Sequence, residues 1–148
     1  MSLRVRQALT NAFLNADFEL DTVHQNGAYT TFADDSYTSN VGTYTPTTGR
    51  PYCELRMFDA GTDAATLNSW DEELGIFQIM LYYPEHQGAI PADTKVKAIT
   101  DAFYLYSTHT YLTQSVQLVN GRSVQEGVNE EGWYKLRIRL PYRAFTPR

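Results

Sequence analysis

The run Glu73-Leu74-Gly75-Ile76-Phe77-Gln78-Ile79-Met80-Leu81-Tyr82-Tyr83-Pro84 limits the fold more than any other stretch of the chain. Taken two residues at a time, Phe77, Ile79, Leu81 and Tyr83 share one face. Ile76, Gln78, Met80 and Tyr82 share the other. The first face is wholly apolar and the second mixed, the pattern of a central strand that sets its better face on a core. Proline has no N–H for a ladder, so the strand ends at Pro84. Residues 84–88, closed by Gly88, then form a turn that feeds a helix.

That helix is expected over 92–106. Pro91 suits its first position, and Ala92, Val96, Ile99, Phe103 and Tyr106 make one stripe at helical spacing. A first helix is expected over 2–16, capped by Ser2, with Val5, Leu9, Ala12, Phe13 and Ala16 on its buried side. Arg4 and Arg6 sit in its first turn, where the helix dipole disfavours them. Residues 52–58 form a strand, 59–63 a turn and 66–71 a polar connection. Asn120-Gly121 lies between the apolar runs 116–119 and 123–125, a strong signal for a two-residue hairpin turn. In 133–142, Tyr134, Leu136, Ile138, Leu140 and Tyr142 alternate with Trp133, Lys135, Arg137, Arg139 and Pro141. One face of that strand is core and the other basic, and 143–148 is a short tail.

Residues 21–50 differ from the rest. They hold no Leu, Ile or Met and are rich in Thr, Tyr, Asp, Asn and Gly. Such a segment cannot build a core alone. Its Thr and Tyr favour extended structure, so it is expected to be an arm with a hairpin around 29–32 and 41–44. The whole is then a single α+β domain over 1–148. It has an antiparallel or mixed sheet of about five strands, two helices packed on one face, and a long extended loop or hairpin arm at about 21–50.

Composition narrows the function. At 148 residues with 20% charged and 43% hydrophobic residues, the chain is long enough for a real core and too apolar for disorder. The net charge of −5 hides a split. Residues 17–93 carry thirteen carboxylates against two arginines, and residues 94–148 carry eight cations against four acids. Opposite charges are therefore expected to meet, within the fold or between copies. An acidic total argues against ordinary nucleic-acid binding, which needs a basic footprint. The 11 tyrosines suit surfaces that become interfaces, and equally suit strands. The single cysteine, Cys53, allows no internal disulfide, and its place beside Leu55 and Met57 predicts a buried, inert thiol. No apolar run approaches a membrane span and the start is too polar for a signal peptide, so a soluble protein made in a reducing compartment is expected.

No catalytic constellation emerges. His24, His86 and His109 are scattered with no metal-ligand spacing. There is no Gly-rich phosphate loop and no Gly-x-Ser-x-Gly elbow. Asp71-Glu72-Glu73 is read as a solvated run, and Trp70 and Trp133 as packing or interface residues. No catalytic residue, cofactor or metal is expected.

The pattern Gly75-Ile76-Phe77-Gln78-x-x-x-Tyr82-x-Pro84-x-x-x-Gly88, with the helix after it, resembles the tail terminator (tail-completion) proteins of long-tailed bacteriophages. So do Trp133-Tyr134-x-Leu136-x-Ile138-x-Leu140-x-Tyr142, Pro51-Tyr52-x-x-Leu55 and, more faintly, Val23-His24-Gln25-Asn26. Residues 27–45 look like an insertion relative to that family. The resemblance implies a structural virion protein, not an enzyme, at the head-proximal end of the tail and assembled in the host cytoplasm. It implies a homohexameric ring that caps the tail tube, ends its polymerisation and offers a surface to a head-side connector or stopper protein. DNA would only pass through the lumen, with no membrane involved. The candidate subunit or ring contacts are Arg137, Arg139, Arg143, Tyr29, Phe32, Tyr37 and Tyr44. A neck or head-completion adaptor is the alternative, and a small enzyme or ligand-binding domain using the Tyr-rich loop a second.

Overall fold

The computed structural model describes residues 3–25, 27–64 and 70–147, and the side chains among them except those at 62–64 and 147. Ser2, expected to cap the first helix, lies outside the described residues, as do Asn26, the connection at 66–69 and Arg148. Helix α1 spans Leu3–Asn15 and buries Val5, Ala8, Leu9 and Phe13. Five strands follow: β1 (Asp21–His24), β2 (Ala28–Ala33), β3 (Ser36–Val41), β4 (Tyr52–Ala64) and β5 (Trp70–Pro84). After helix α2 (Ile90–Ala102) come β6 (Thr108–Tyr111), β7 (Gln114–Leu118), β8 (Ser123–Glu130) and β9 (Trp133–Pro147).

All nine strands join one sheet in the order β3-β2-β1-β4-β5-β9-β7-β6, with β8 also on β9. This overturns the expected α+β domain of about five strands with two helices packed on one face: the described residues form nine strands and two helices and are predominantly sheet. The additional strands lie in polar sequence. β2, β3 and β8 carry no apolar alternation, and backbone pairing with a neighbour holds them.

β5 lies between β4 and β9. Its register sets Phe77 beside Leu140, Ile79 beside Ile138 and Leu81 beside Leu136, all buried. With Cys53, Leu55 and Met57 of β4 they form the core side of the sheet. The rings of Phe13 in α1, Phe77 in β5 and Phe103 after α2 meet there at centroid distances of 5.7–6.5 Å. Burying three such rings removes a large apolar area from water and fixes both helices to this side.

Several local expectations are corrected by pairing. α2 stops at Ala102, and Tyr106, expected in its stripe, is exposed with φ of +66° in the following turn. The expected turn at 59–63 is a continuation of β4: a bulge between Asp59 and Gly61, where Gly61 takes φ of +128°, lets pairing with β5 resume at Leu74. Residues 143–147 are no tail but the end of β9, paired with β5. The hairpin at Asn120-Gly121 does not form. β7 and β8 both pair with β9 along the edge opposite β5, and the chain passes from one to the other through residues 119–122. The two-residue turn in this region is Glu131-Gly132, with φ of +53° and +85°, joining β8 to β9.

The 21–50 segment contains β1, β2 and β3. β1 runs parallel to β4, and β2 and β3 form a hairpin around Asp34-Asp35, both at positive φ. Ser36–Val41 is thus the partner of β2, in place of the expected 41–44. Asp tolerates the left-handed region because its short polar side chain bonds locally, which suits such a turn.

A candidate assembly face

The side of the sheet away from the helices carries the alternate residues of the same strands. On β9 these are Lys135, Arg137, Arg139, Pro141 and Arg143. Their Cα partners on β5 are Tyr82, Met80, Gln78, Ile76 and Leu74. Tyr52, Glu54 and Arg56 of β4 extend the row on one flank, and Gln125 and Val128 of β8 on the other.

The arginines remain partly exposed. Arg139 donates from Nε to Gln78 Oε1 at 3.1 Å, and Arg143 from a terminal nitrogen to Gln117 Oε1 at 2.9 Å. The Arg143 guanidinium also sits 5.7 Å from the Phe145 ring. Nε of Arg137 and Nε of Arg143 are buried with no hydrogen-bond partner. Among the described residues none of these three arginines is in an ion pair. The neighbouring cations are paired, Arg56 to Glu54 and Lys135 to Glu130 at 3.7 Å, with the Lys135 ammonium 5.5 Å from the Tyr82 ring. A buried donor without an acceptor costs about 1–3 kcal/mol, and the chain supplies no acceptor to these two Nε groups.

Beside the arginines runs a ladder of aromatic rings. Tyr29 meets Tyr44 at 5.4 Å, Tyr44 meets Tyr52 at 5.1 Å, and Tyr52 stacks on Tyr82 at 4.4 Å and 5°. Trp133 stands edge-on to Tyr52 at 5.1 Å. Burial first, then the neighbouring Tyr82 phenol and the Glu54 carboxylate, push the Tyr52 hydroxyl up to about 12. Tyr44 is raised by burial and by donating to Asp21 Oδ2 at 2.7 Å. Asp21 is itself buried. It accepts from Arg50 at 2.9 Å and from the Phe32 backbone N–H at 2.8 Å, and so ties the 43–50 loop to the β1–β2 pair.

The seven candidate residues therefore divide. Arg137, Arg139, Arg143, Tyr29 and Tyr44 belong to the open side. Phe32 and Tyr37 face each other across the β2–β3 hairpin at 5.0 Å, on the side that carries Thr30, Thr22 and Cys53. Tyr37 donates to Asp17 at 2.6 Å and accepts from the Glu19 N–H at 3.1 Å, which binds the hairpin to the α1–β1 connection. Sequence reasoning missed Tyr52, Tyr82, Gln78 and Gln117 as members of the open face. For Tyr82 and Gln78 the signal was present in the mixed face of residues 76–82.

Other residues are inert or structural. Cys53 is fully buried and its thiol is pushed up to about 12, chiefly by burial. Glu73, read as part of a solvated run, is buried. His24 and His109 are lowered by burial, with Nε2 at 2.8 Å from Thr30 Oγ1 and 3.0 Å from Ser107 Oγ respectively. Among the described residues no group of three His, Cys, Asp or Glu is placed to hold a metal ion, and no helix is long and apolar enough to cross a membrane.

No curated protein matches the sequence. A solved structure that carries no functional description shares the fold with a TM-score of 0.69. It is 18% identical, over 95% of this chain and 92% of that one, which bears on fold alone. The family model for the phage tail terminator protein matches residues 19–142, a span that includes every strand from β1 to β8 and most of β9. The chain belongs to the phage tail terminator protein family.

Proposed function

We propose that this chain forms a hexameric ring that caps the tail tube, ends its polymerisation and presents the head-joining surface of the tail. It does so without catalysis or cofactor, at the head-proximal end of the virion tail. Its partners are further copies of itself, the tube protein and a head-side connector or stopper. The number six and the position in the tail are what the family resemblance implies.

The observation that carries the reading is the open face. Three arginines in no ion pair lie near Tyr, Trp and Met, residue types enriched at interfaces, while the other side of the same sheet is covered by the chain's own helices. The acids of residues 17–93 on a neighbouring copy or ring are the complement of those arginines. The 21–50 segment touches a neighbouring subunit or the last tube ring. The lumen through which DNA passes avoids a continuous basic lining, because phosphate would adhere to one.

Charge reversal tests this. Tails made with Arg137→Glu and Arg139→Glu are expected to be irregular in length or to lack heads in electron micrographs. Properly terminated tails that still join heads would overturn the placing of these arginines at a contact.

A further inference from the structure

Among the described residues the sheet ends in two strands that have a strand neighbour on one side only, β3 at one end and β6 at the other, with helix α1 packed close to β6. An edge strand presents unpaired N–H and C=O groups, and monomeric proteins guard such edges with charges, proline or bulges. This molecule guards its other edges in that way. The outer edge of β8 carries Glu126 and Glu130 and a bulge between Gln125 and Val128. The part of β4 that runs beyond β1 carries Arg56 and Asp59 and the bulge at Gly61. β3, Ser-Tyr-Thr-Ser-Asn-Val, has no charge, proline or bulge, and its Val41 is 93% exposed. β6, Thr-His-Thr-Tyr, has no Asp, Glu, Lys, Arg, proline or bulge either.

The groups that point outward can be assigned. Gly42 donates to the Gly27 carbonyl, so by the alternation of antiparallel pairs Tyr29–Asn40 and Thr31–Thr38 exchange bonds. Tyr37, Ser39 and Val41 then turn their backbone groups to the free edge. In the β6–β7 hairpin, Tyr111 and Gln114 close a two-residue turn with Leu112 at positive φ. The same alternation sends the backbone groups of Thr108 and Thr110 outward.

Strand direction fixes how these edges can meet. With β3 taken as up, β2 runs down, β1 and β4 up, β5 down, β9 up, β7 down and β6 up. β3 and β6 therefore run the same way. Rotation about a ring axis preserves the sense of every strand along that axis, so where the sheet's twist leaves β3 and β6 with the same sense along it, β3 of one copy meets β6 of the next in parallel. Two different patches in contact make a head-to-tail interface, the kind that closes into a ring.

Resting on the ring reading, we infer that successive copies join by parallel pairing of β3 with β6, continuing one sheet around the ring. β6 is only four residues long, so a single junction is weak. The pairing then holds only when the ring closes or the tube end templates it.

The test uses the full chain with tubes. Ser39→Pro removes one outward N–H and spares the bonds to β2, and Ser39→Ala retains the N–H as control. Ser39→Pro is expected to lose rings on tube ends at least tenfold relative to Ser39→Ala, with an unchanged circular dichroism spectrum. A cross-link that needs no proline is the second measurement. Thr38 and Thr110 are exposed and lie on the same side of the sheet, and the native Cys53 is buried from reagents. The variant carrying both Thr38→Cys and Thr110→Cys, treated with a short bismaleimide, is expected to give a covalent ladder that ends at the ring number. Rings that form normally with Ser39→Pro, or a double variant that gives no ladder in visible rings, would overturn the edge pairing and leave the ring reading intact. Dimers from Thr38→Cys alone would show a two-fold β3–β3 contact and overturn the parallel pairing. Capped tails in which this chain forms no ring would remove the ring reading and the inference together.

Discussion

The two sides of one sheet differ in whether the chain completes them. On the helix side, Phe77, Ile79 and Leu81 meet Phe13, Ile99, Phe103 and their neighbours, and every one of these side chains is buried. On the open side, Met80, Tyr82, Arg137 and Arg143 belong to the same strands, one residue out of phase, and stay half covered. Period-two alternation places both sets with equal accuracy. The first set has its partners in the same chain, and the second has donors with no acceptor. The helix side thus carries the stability of the fold, and the open side keeps two arginine Nε donors that its own chain leaves unpaired.

The largest test of that division is a pair of truncations on β5. Phe77→Ala empties a ring site between α1 and the residue after α2, and is expected to cost about 3–5 kcal/mol. Met80→Ala, on the open side, should cost about 1 kcal/mol or less. Chemical denaturation of the two purified variants measures both. Equal losses would mean that the open side is as much a part of the folded core as the helix side.

How much of this was legible follows from the same alternation. Residues 77–83 and 134–142 announced their faces because apolar side chains mark one side of each. The basic row of β9 could be read for the same reason. The sheet's true width could not be read, because β2, β3 and β8 have few apolar residues to alternate and owe their place to backbone hydrogen bonds with neighbours. Asn120-Gly121 is the clearest failure. Its local chemistry favours a tight turn, yet β9 is long enough to take β7 on one stretch of its edge and β8 on another. Glu131-Gly132 makes the hairpin instead. The makeup of the open face was half legible: the arginines followed from alternation, whereas the Tyr29–Tyr44–Tyr52–Tyr82 ladder needs the fold of the 43–50 loop, which no spacing reveals.

A second effect, pH, acts on both sides, since burial also raises Tyr83 and Tyr142 on the helix side to about 12. His24 and His109 lie on the helix side of the sheet, and burial lowers both. Their stabilising contribution is present above the unfolded value of about 6.5 and is lost as pH falls through the lower folded values, because the unfolded chain binds the protons first. On the open side Tyr52 is raised to about 12 and Tyr82 is raised as well. Their contribution is intact below about 10 and is lost as pH rises through the folded values. Melting temperature against pH is therefore expected to fall at both ends. His109→Gln should flatten the acid limb and Tyr52→Phe the alkaline limb. An acid limb that is unchanged in a His24→Gln, His109→Gln double variant would place its cause among the carboxylates.

The smallest expected effect is the most telling about the open side. Arg137 has a buried Nε with no partner, whereas Arg139 gives its Nε to Gln78. In the isolated subunit, Arg137→Met keeps most of the apolar stem against its neighbours and removes a donor that nothing accepts. Relieving such a group is neutral or favourable, so the change is expected to lie within about 1 kcal/mol and to be stabilising in sign. Arg139→Met instead leaves the Gln78 carbonyl oxygen without its donor, in a side chain that is 6% exposed. That loss should cost about 1 kcal/mol. Under the proposed ring contact the order inverts for Arg137 on assembly, because an acceptor on the neighbouring copy would then be left without its cation. Subunit melting and tail assembly measured on the same Arg137→Met protein should therefore move in opposite directions. A variant that loses stability and assembles normally would show that Arg137 serves the fold of its own subunit.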